Sequence, residues 1–209
     1  NSSKITTIAY GADHVKQGDV DILARYGLTP DGYAILIARA EPENSILEVV
    51  RAWSRKVRGL KLVVLGKYDL DHTYQRAVKD AASEEVLFLG AIYESKVVKA
   101  LRFFSRLYIH GHQVGGTNPS LVEALGAGNA VLAHDNPFNR WVAGNESLFF
   151  SDEDSCAMVL DSLLPDEAKL ARLRKSSVAR YWESFTWEQV LNEYEKLLLR
   201  YSLLPAKSN

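Results

Sequence analysis

Short apolar runs rich in β-branched residues recur along the first 150 residues, at intervals of about 20 to 25 residues. A stretch with helical periodicity follows most of them, and this alternation predicts parallel strands joined by helical crossovers. The predicted strands cover residues 33–38, 60–65, 86–89, 107–110, 130–133 and 148–150. Several are apolar throughout, as expected of strands that are covered on both faces. We therefore predict an α/β fold of the Rossmann-like type, a doubly wound parallel sheet of about six strands.

The stretches between the runs predict crossover helices at 43–57, 71–82 and 94–104. The first of them places Ile46, Val49, Val50 and Trp53 on one stripe. A further strand that ends in a turn is predicted at 5–11.

The last third of the chain, residues 151–209, predicts helices with no strands between them. Asp152 is placed to cap the first and Pro165 to open the second. Thr186 and Gln189 form a capping-box pattern that opens a third, ending near residue 204. With no internal repeat or interior linker, we predict a single domain over 1–209.

Composition excludes several classes of function. The 209 residues carry 25 Lys and Arg against 26 Asp and Glu, so the net charge of -1 gives no excess of cations for a nucleic-acid backbone. The one cysteine cannot form an internal disulfide, and no Cys/His spacing is typical of a metal site. No apolar run is long enough to span a bilayer and no signal peptide is recognisable, so we expect no membrane insertion.

The segment with the clearest chemistry begins at the end of the fourth predicted strand. Residues 110–126 read HGHQVGGTNPSLVEALG, a strand, a glycine loop and a helix that opens near Pro119. The helix dipole and free N–H groups suit an anion such as phosphate, and Glu123 can accept hydrogen bonds from two vicinal hydroxyls. The loop matches neither the Walker pattern nor Gly-x-Gly-x-x-Gly. The competing interpretation is that Asn118 only caps its helix, the glycines only turn and Glu123 is a solvated residue.

A second candidate lies at the end of the first predicted strand. Arg39 can clamp a diphosphate from the same rim of the sheet, since its guanidinium binds phosphate oxygens in a bidentate manner. The alternative is an ion pair of Arg39 with Glu41 or Glu43.

These segments resemble the C-terminal, nucleotide-sugar-binding half of GT-B glycosyltransferases of family 4. The most specific matches are 115–124, which reads GGTNPSLVEA, and 38–44, which reads ARAEPEN, and both look like the rhamnosyltransferase-like branch of bacterial polysaccharide biosynthesis. Weaker matches are IAYGAD at 8–13, FLGAIY at 88–93 and FTWE at 185–188.

The resemblance implies a role for several positions. Glu123 would be the second glutamate of the Glu-x7-Glu motif and bind the donor ribose, whereas Gly115 occupies the place of the first. Arg39 would bind the diphosphate and stabilise the leaving group, while Asn44 stands where the family has a lysine. The residues implied around the donor are Arg39, Asn44, Gly90, Ala91, Ile92, His112, Gly115, Gly116, Thr117, Asn118, Ser120, Leu121 and Glu123.

The resemblance also implies a reaction and its partners. We expect a hexosyltransferase-type enzyme that takes a UDP- or dTDP-sugar, without a metal or other cofactor, and transfers the sugar to a glycan or lipid-linked acceptor. Residues 1–14 would be the interdomain strand and turn, the acceptor half would be absent, and the fragment would be inactive alone. The expected location is the cytoplasm, with the inner face of the membrane left open for the full-length enzyme.

Two other hypotheses remain at this stage. One is a noncatalytic Rossmann-like module that regulates or binds protein, and the other is a fragment of a GT-B sugar-nucleotide epimerase.

Overall fold

The computed structural model describes residues 5–202. Six parallel strands lie in the order β3-β2-β1-β4-β5-β6, which is the doubly wound Rossmann order. The strands are β1 Tyr33–Ile37, β2 Lys61–Leu65, β3 Val86–Gly90, β4 Leu107–His110, β5 Val131–His134 and β6 Leu148–Phe150. Each matches a predicted run to within about one residue, which confirms the α/β prediction.

The helices cover both faces of the sheet and form the C-terminal third. They are α1 Asp21–Ala24, α2 Ile46–Ser54, α3 Thr73–Asp80, α4 Ser95–Phe103, α5 Pro119–Gly126, α6 Pro137–Ala143, α7 Glu153–Leu163, α8 Glu167–Ser184 and α9 Trp187–Ser202. A single 3-10 turn at Pro42–Asn44 leads into α2.

Two apolar layers hold these helices to the sheet. The predicted stripe of α2 is fully buried, with Trp53 packed beside the helices α3 and α7 on one face. On the other face Tyr33 and Tyr108 lie among residues of α1, α4 and α5, and the Tyr33 hydroxyl donates to the carbonyl of Leu101 at 2.6 Å. Burial on both faces is the reason why the strands read as continuous apolar runs.

The predicted strand at 5–11 is wrong. The structure gives those residues no strand, and the nearest pairing in the described chain is an isolated bridge between Ala12 and Thr186. The Ala12 N–H donates to the Phe185 carbonyl at 3.0 Å, and the Ala12 carbonyl accepts from the Tyr181 hydroxyl at 3.0 Å. The chain just after this segment therefore bonds to α8 and its end rather than to an edge of the sheet.

The N-terminal caps of the helices in the C-terminal third agree with the sequence prediction except at one helix. Asp152 and Ser155 cap each other's backbone at α7, and Thr186 and Gln189 do so at α9. The second helix begins after Asp166, whose carboxylate accepts from the Lys169 N–H, and not at Pro165. Residues 1–4 of the predicted interdomain segment, and 203–204 at the predicted end of the last helix, lie outside the described residues.

Candidate donor site at the switch point of the sheet

The chain reverses its direction across the sheet between β1 and β4, so the loops that follow these two strands diverge. Such a point forms a crevice at the carboxyl ends of the strands, where ligands bind in open α/β sheets. The register pairs Leu36 with Ile109, which brings the two strand ends level.

Close backbone contact joins the two loops at their base. The Gln113 N–H donates to the Glu43 carbonyl at 2.8 Å, and its side-chain amide donates to the Ser45 hydroxyl at 2.9 Å. Gly111 is required here, because a Cβ at this position would lie 2.1 Å from the carbonyl oxygen of Asn44. The β4 loop is therefore fixed against the β1 loop.

Two adjoining cavities occupy the crevice, and Ile37, Ile92, Tyr93 and Ser120 line both. We call the first the α4–α5 cavity, of about 560 Å³, with Lys99, Arg102, Asn118 and Glu123 in its wall. The second is the β1–β2 cavity, of about 630 Å³, with Arg39, Lys67, Ala91 and His112 in its wall. Each is in the size range of a small-molecule site.

The β1–β2 cavity presents two cations. Arg39 follows β1 and Lys67 follows β2, and neither forms an ion pair within residues 5–202. The ion pair of Arg39 with Glu41 or Glu43, left open by the sequence, is thus not formed. Glu41 and Asp69 line the same cavity, so its charge is mixed.

Asn44 does not face this cavity. Its side chain is 3% exposed, and its amide donates to the Arg39 carbonyl at 2.8 Å. Asn44, which the sequence predicts as a donor contact, therefore holds the backbone of Arg39.

The first turn of α5 already uses its own N–H groups. The Asn118 side chain accepts from the Ser120 N–H at 3.0 Å, and the Asn118 carbonyl accepts from the Leu121 N–H at 3.1 Å. Pro119 has no N–H, and the Leu121 side chain is fully buried in the core. The N–H groups of Ser120 and Leu121 are thus occupied within the helix, and the first of these bonds confirms Asn118 as the N-cap.

The glycine loop before α5 offers free donors instead. Across the described chain, no protein acceptor meets the N–H groups of Gly115, Gly116, Thr117 and Asn118. Gly115 adopts φ +124°, a conformation that favours glycine. A Cβ on Gly116 would meet no atom within 4 Å, so the loop stands open at the rim of the crevice.

Glu123 points into the α4–α5 cavity from one turn further along α5. Its carboxylate accepts from Arg102 at 2.6 Å, while its side chain stays 48% exposed. The Arg102 guanidinium also donates to the Ser120 hydroxyl at 2.9 Å, and Ser120 lies 2.7 Å from the Tyr108 hydroxyl. Glu123 therefore has one edge held by the protein and another edge open to a ligand.

His112 lines the β1–β2 cavity and stacks on the buried His110, with the two ring centroids 4.3 Å apart. Burial, and then the nearby Arg39, lower the pKa of His112 to about 4. Burial lowers the pKa of His110 well below its ordinary value, and His112 and Arg102 add to this effect. Both rings are neutral at physiological pH, and the backbone carbonyl of His112 accepts from the side chains of Asn136 and Asn139.

The expected nucleobase segment lies at the carboxyl end of β3. The Gly90 carbonyl accepts from the Gly66 N–H at 3.0 Å, which joins the ends of β2 and β3. Ala91 and Ile92 line the crevice, whereas Gly90 does not. The adjacent Tyr93 is 92% exposed and lines both cavities, so it extends the wall of this segment.

The structure thus groups Arg39, Ala91, Ile92, His112, Asn118, Ser120 and Glu123 around one crevice. Gly115, Gly116 and Thr117 lie beside it in the loop, and Asn44 and Leu121 are buried. Sequence reasoning missed Lys67, Tyr93 and Arg102. Their only signal was position, since Lys67 follows a strand, Tyr93 follows the next one and Arg102 ends a helix.

Two structural features bear on other classes of site. Within residues 5–202, no group of three or more His, Cys, Asp or Glu side chains is placed to hold a metal ion. In the same part of the chain, no helix combines the length and the apolar character that crossing a bilayer requires.

Solved structures share this fold along nearly the whole chain. HepE from Anabaena in complex with UDP aligns with a TM-score of 0.81 at 15% identity, covering 98% of this chain and 59% of that one. A sucrose-phosphate synthase from Thermosynechococcus elongatus aligns with a TM-score of 0.78 at 19% identity, covering 93% of this chain and 52% of that one. A glycosyltransferase from Rickettsia africae ESF-5 aligns with a TM-score of 0.79 at 13% identity, covering 94% of this chain and 57% of that one. The chain therefore spans little more than half the length of these proteins.

No curated protein sequence matches the chain significantly. The family model described as "Glycosyl transferases group 1" matches residues 24–180, which includes all six strands and every residue of the crevice except those of the N-terminal segment and Trp187. With this match and the GT-B-like sheet order, the chain belongs to the glycosyl transferases group 1 family.

Proposed function

We propose that this domain binds the nucleoside-diphosphate part of a sugar donor in the crevice and provides the donor half of a glycosyltransferase. The observation that carries the proposal is the arrangement of charges around one opening. Arg39 and Lys67 lie on one side, the free amides of 115–118 lie at the rim, and the Glu123 carboxylate lies on the other side. Cations and N–H groups suit a diphosphate, and a carboxylate suits the vicinal hydroxyls of a ribose.

The chemistry follows from this placement. Transfer breaks the bond between the anomeric carbon and the diphosphate oxygen, and negative charge develops on the departing nucleoside diphosphate. Arg39 and Lys67 stabilise that charge, since both line the cavity in which it develops. Glu123 and the wall at Ala91 and Ile92 hold the nucleoside end of the same molecule.

UDP is the first nucleotide to test, because the HepE structures contain UDP, and in one case UDP and glucose. The finer part of the proposal rests on the sequence resemblance: a UDP- or dTDP-sugar as donor, and a glycan or lipid-linked acceptor of polysaccharide biosynthesis. Since the chain covers about half of each related structure, we propose that transfer itself needs an acceptor half.

Thermal unfolding with UDP, dTDP, GDP and ADP tests the proposal. A nucleotide at about 100 times its Kd adds roughly 2.7 kcal/mol to the free energy of unfolding, which raises Tm by roughly 5 to 10 °C for a domain of this size. We expect such a rise with UDP, and a smaller one with dTDP, because its 2′-deoxyribose has only one hydroxyl for Glu123. If none of the four nucleotides raises Tm at millimolar concentration, the crevice is not a nucleotide site.

A further inference from the structure

Arg102 is buried beneath the two side chains of α5 that face the crevice. It is the last-turn cation of α4, its side chain is 5% exposed, and its guanidinium lies 6.0 Å from the centre of the Tyr108 ring. Burying a cation is unfavourable unless charged or polar partners surround it. Its charged partner within residues 5–202 is the single carboxylate of Glu123.

The contacts of Arg102 reach both Glu123 and Ser120 through one nitrogen. Nη2 lies 2.6 Å from Glu123 Oε2 and 2.9 Å from Ser120 Oγ. Both acceptors lie on the α4–α5 cavity, and Arg102 itself lines that cavity. A rigid planar guanidinium fixes the position of two groups that would otherwise rotate freely.

Two polar edges of this cluster remain unused. The Nε of Arg102 is buried and meets no acceptor in the described chain. Glu123 keeps its second oxygen, Oε1, outside the ion pair. A core that needed only packing would be served as well by an apolar residue of similar volume, so the charge at this place indicates a role in the site.

Resting on the proposed function, we propose that Arg102 is a positioning residue for the ribose: it holds the Glu123 carboxylate and the Ser120 hydroxyl in the orientation that binds the vicinal diol. A carboxylate that accepts from Arg102 on one oxygen still has three lone pairs, which suffice for two hydroxyl donors. Ser120 accepts from Arg102, which leaves its own proton for Tyr108 or for the ligand.

Calorimetric titration of the whole chain with UDP, 2′-deoxy-UDP and 3′-deoxy-UDP separates positioning from a merely structural role. For the wild-type protein we expect each deoxy analogue to bind about 10-fold more weakly than UDP. In Arg102→Gln the affinity for UDP falls by about the same factor while that for the analogues changes little, so the preference disappears. Arg102→Lys keeps the charge but not the planar geometry of the guanidinium, and it retains part of the preference.

The variant Glu123→Gln and the double variant Arg102→Gln/Glu123→Gln complete a double-mutant cycle. If Arg102 acts through Glu123, the double variant loses no more preference than either single variant. The double variant also removes both charges together, so it stays folded even if one single variant does not.

Three results overturn the inference in different ways. If Arg102→Gln weakens all three nucleotides equally and keeps the wild-type preference, Arg102 has a structural role only. If the wild-type protein binds UDP without any preference over its analogues, there is no diol contact to position, although nucleotide binding stands. If UDP does not bind at all, this inference fails, and the proposed function fails with it only when dTDP, GDP and ADP do not bind either.

Discussion

Alanine substitutions at two glycines of the same loop should affect stability differently, because one glycine packs against backbone and the other faces open space. In Gly111→Ala the new Cβ would lie 2.1 Å from the carbonyl oxygen of Asn44 and 3.0 Å from its carbonyl carbon. Both are backbone atoms that no rotamer can move, so the loops after β1 and β4 must separate by about 1 Å. In Gly116→Ala the Cβ would have no neighbour within 4 Å.

The expected loss in the free energy of unfolding for Gly111→Ala lies at the upper end of the range for overpacking, about 3 kcal/mol, because backbone atoms rather than a side chain must move. For a domain of this size, that lowers Tm by about 6 to 12 °C. Affinity for UDP falls as well, because the separation carries Arg39 away from the wall formed by His112. Gly116→Ala leaves Tm within about 2 °C of the wild-type value. It still weakens UDP binding, because a methyl group then stands where the ligand would meet the loop amides.

Differential scanning calorimetry for Tm and titration calorimetry for UDP measure both effects on the same preparations. An unchanged Tm in Gly111→Ala would show that the two loops do not pack as described. Wild-type UDP affinity in Gly116→Ala would show that the glycine loop does not approach the ligand.

Three further predictions concern charges in the crevice. Lys67→Ala weakens UDP binding about 10-fold in titration calorimetry and reduces its dependence on salt, because one cation facing the diphosphate is lost; unchanged affinity would contradict the two-cation site. Glu123→Ala lowers the free energy of unfolding by about 2 kcal/mol, which is less than the loss for a fully buried ion pair because Glu123 is half exposed. Glu123→Gln lowers it by a smaller amount, since the glutamine oxygen still accepts a hydrogen bond from Arg102. Equal stability of the two variants in urea unfolding would contradict this prediction. The pKa of His112 is about 4 in the folded protein and 6.5 in the unfolded chain, so between these values the unfolded chain binds a proton that the folded chain does not. The free energy of unfolding therefore decreases as the pH falls below 7, by about 2 kcal/mol at pH 5 from this group. Urea unfolding of His112→Gln should show a flatter pH dependence, and a pH dependence identical to that of the wild-type protein would refute the assignment.

The strands were predictable because both faces of the sheet are covered. Runs such as that of β1, whose first four residues are fully buried, are apolar at every position, and no helical pattern competes with them. The segment at 5–11 shows the opposite case. Its β-branched residues favour a strand, but pairing depends on a free sheet edge nearby, and the sequence does not contain that information.

The short helices were missed for a different reason. α1 and α6 have 4 and 7 residues, too few for a helical period to stand out, although Asn136 and Pro137 form a cap and first position that could have predicted α6.

Half of the site was predictable from local features. Arg39 closes a strand, and Asn118 and Glu123 sit at defined places in a strand, loop and helix, so their chemistry could be inferred. Lys67 and Arg102 could not be assigned in this way, because they reach the crevice from β2 and α4. Their approach depends on the strand order 3-2-1-4, which places β2 next to β1 and brings α4 beside α5.

The central claim is that the crevice binds a nucleoside diphosphate through Arg39 and Lys67, and one titration tests it directly. UDP, dTDP, GDP and ADP are titrated into the wild-type protein, the double variant Arg39→Gln/Lys67→Gln and a matched control, Arg172→Gln/Lys175→Gln. The control removes the same charges from exposed positions of α8 that form no ion pair within residues 5–202. The account predicts that one nucleotide binds the wild-type and control proteins equally and the crevice variant at least about 30-fold more weakly. Equal binding by all three proteins, or no binding of any nucleotide to the wild-type protein, would contradict it.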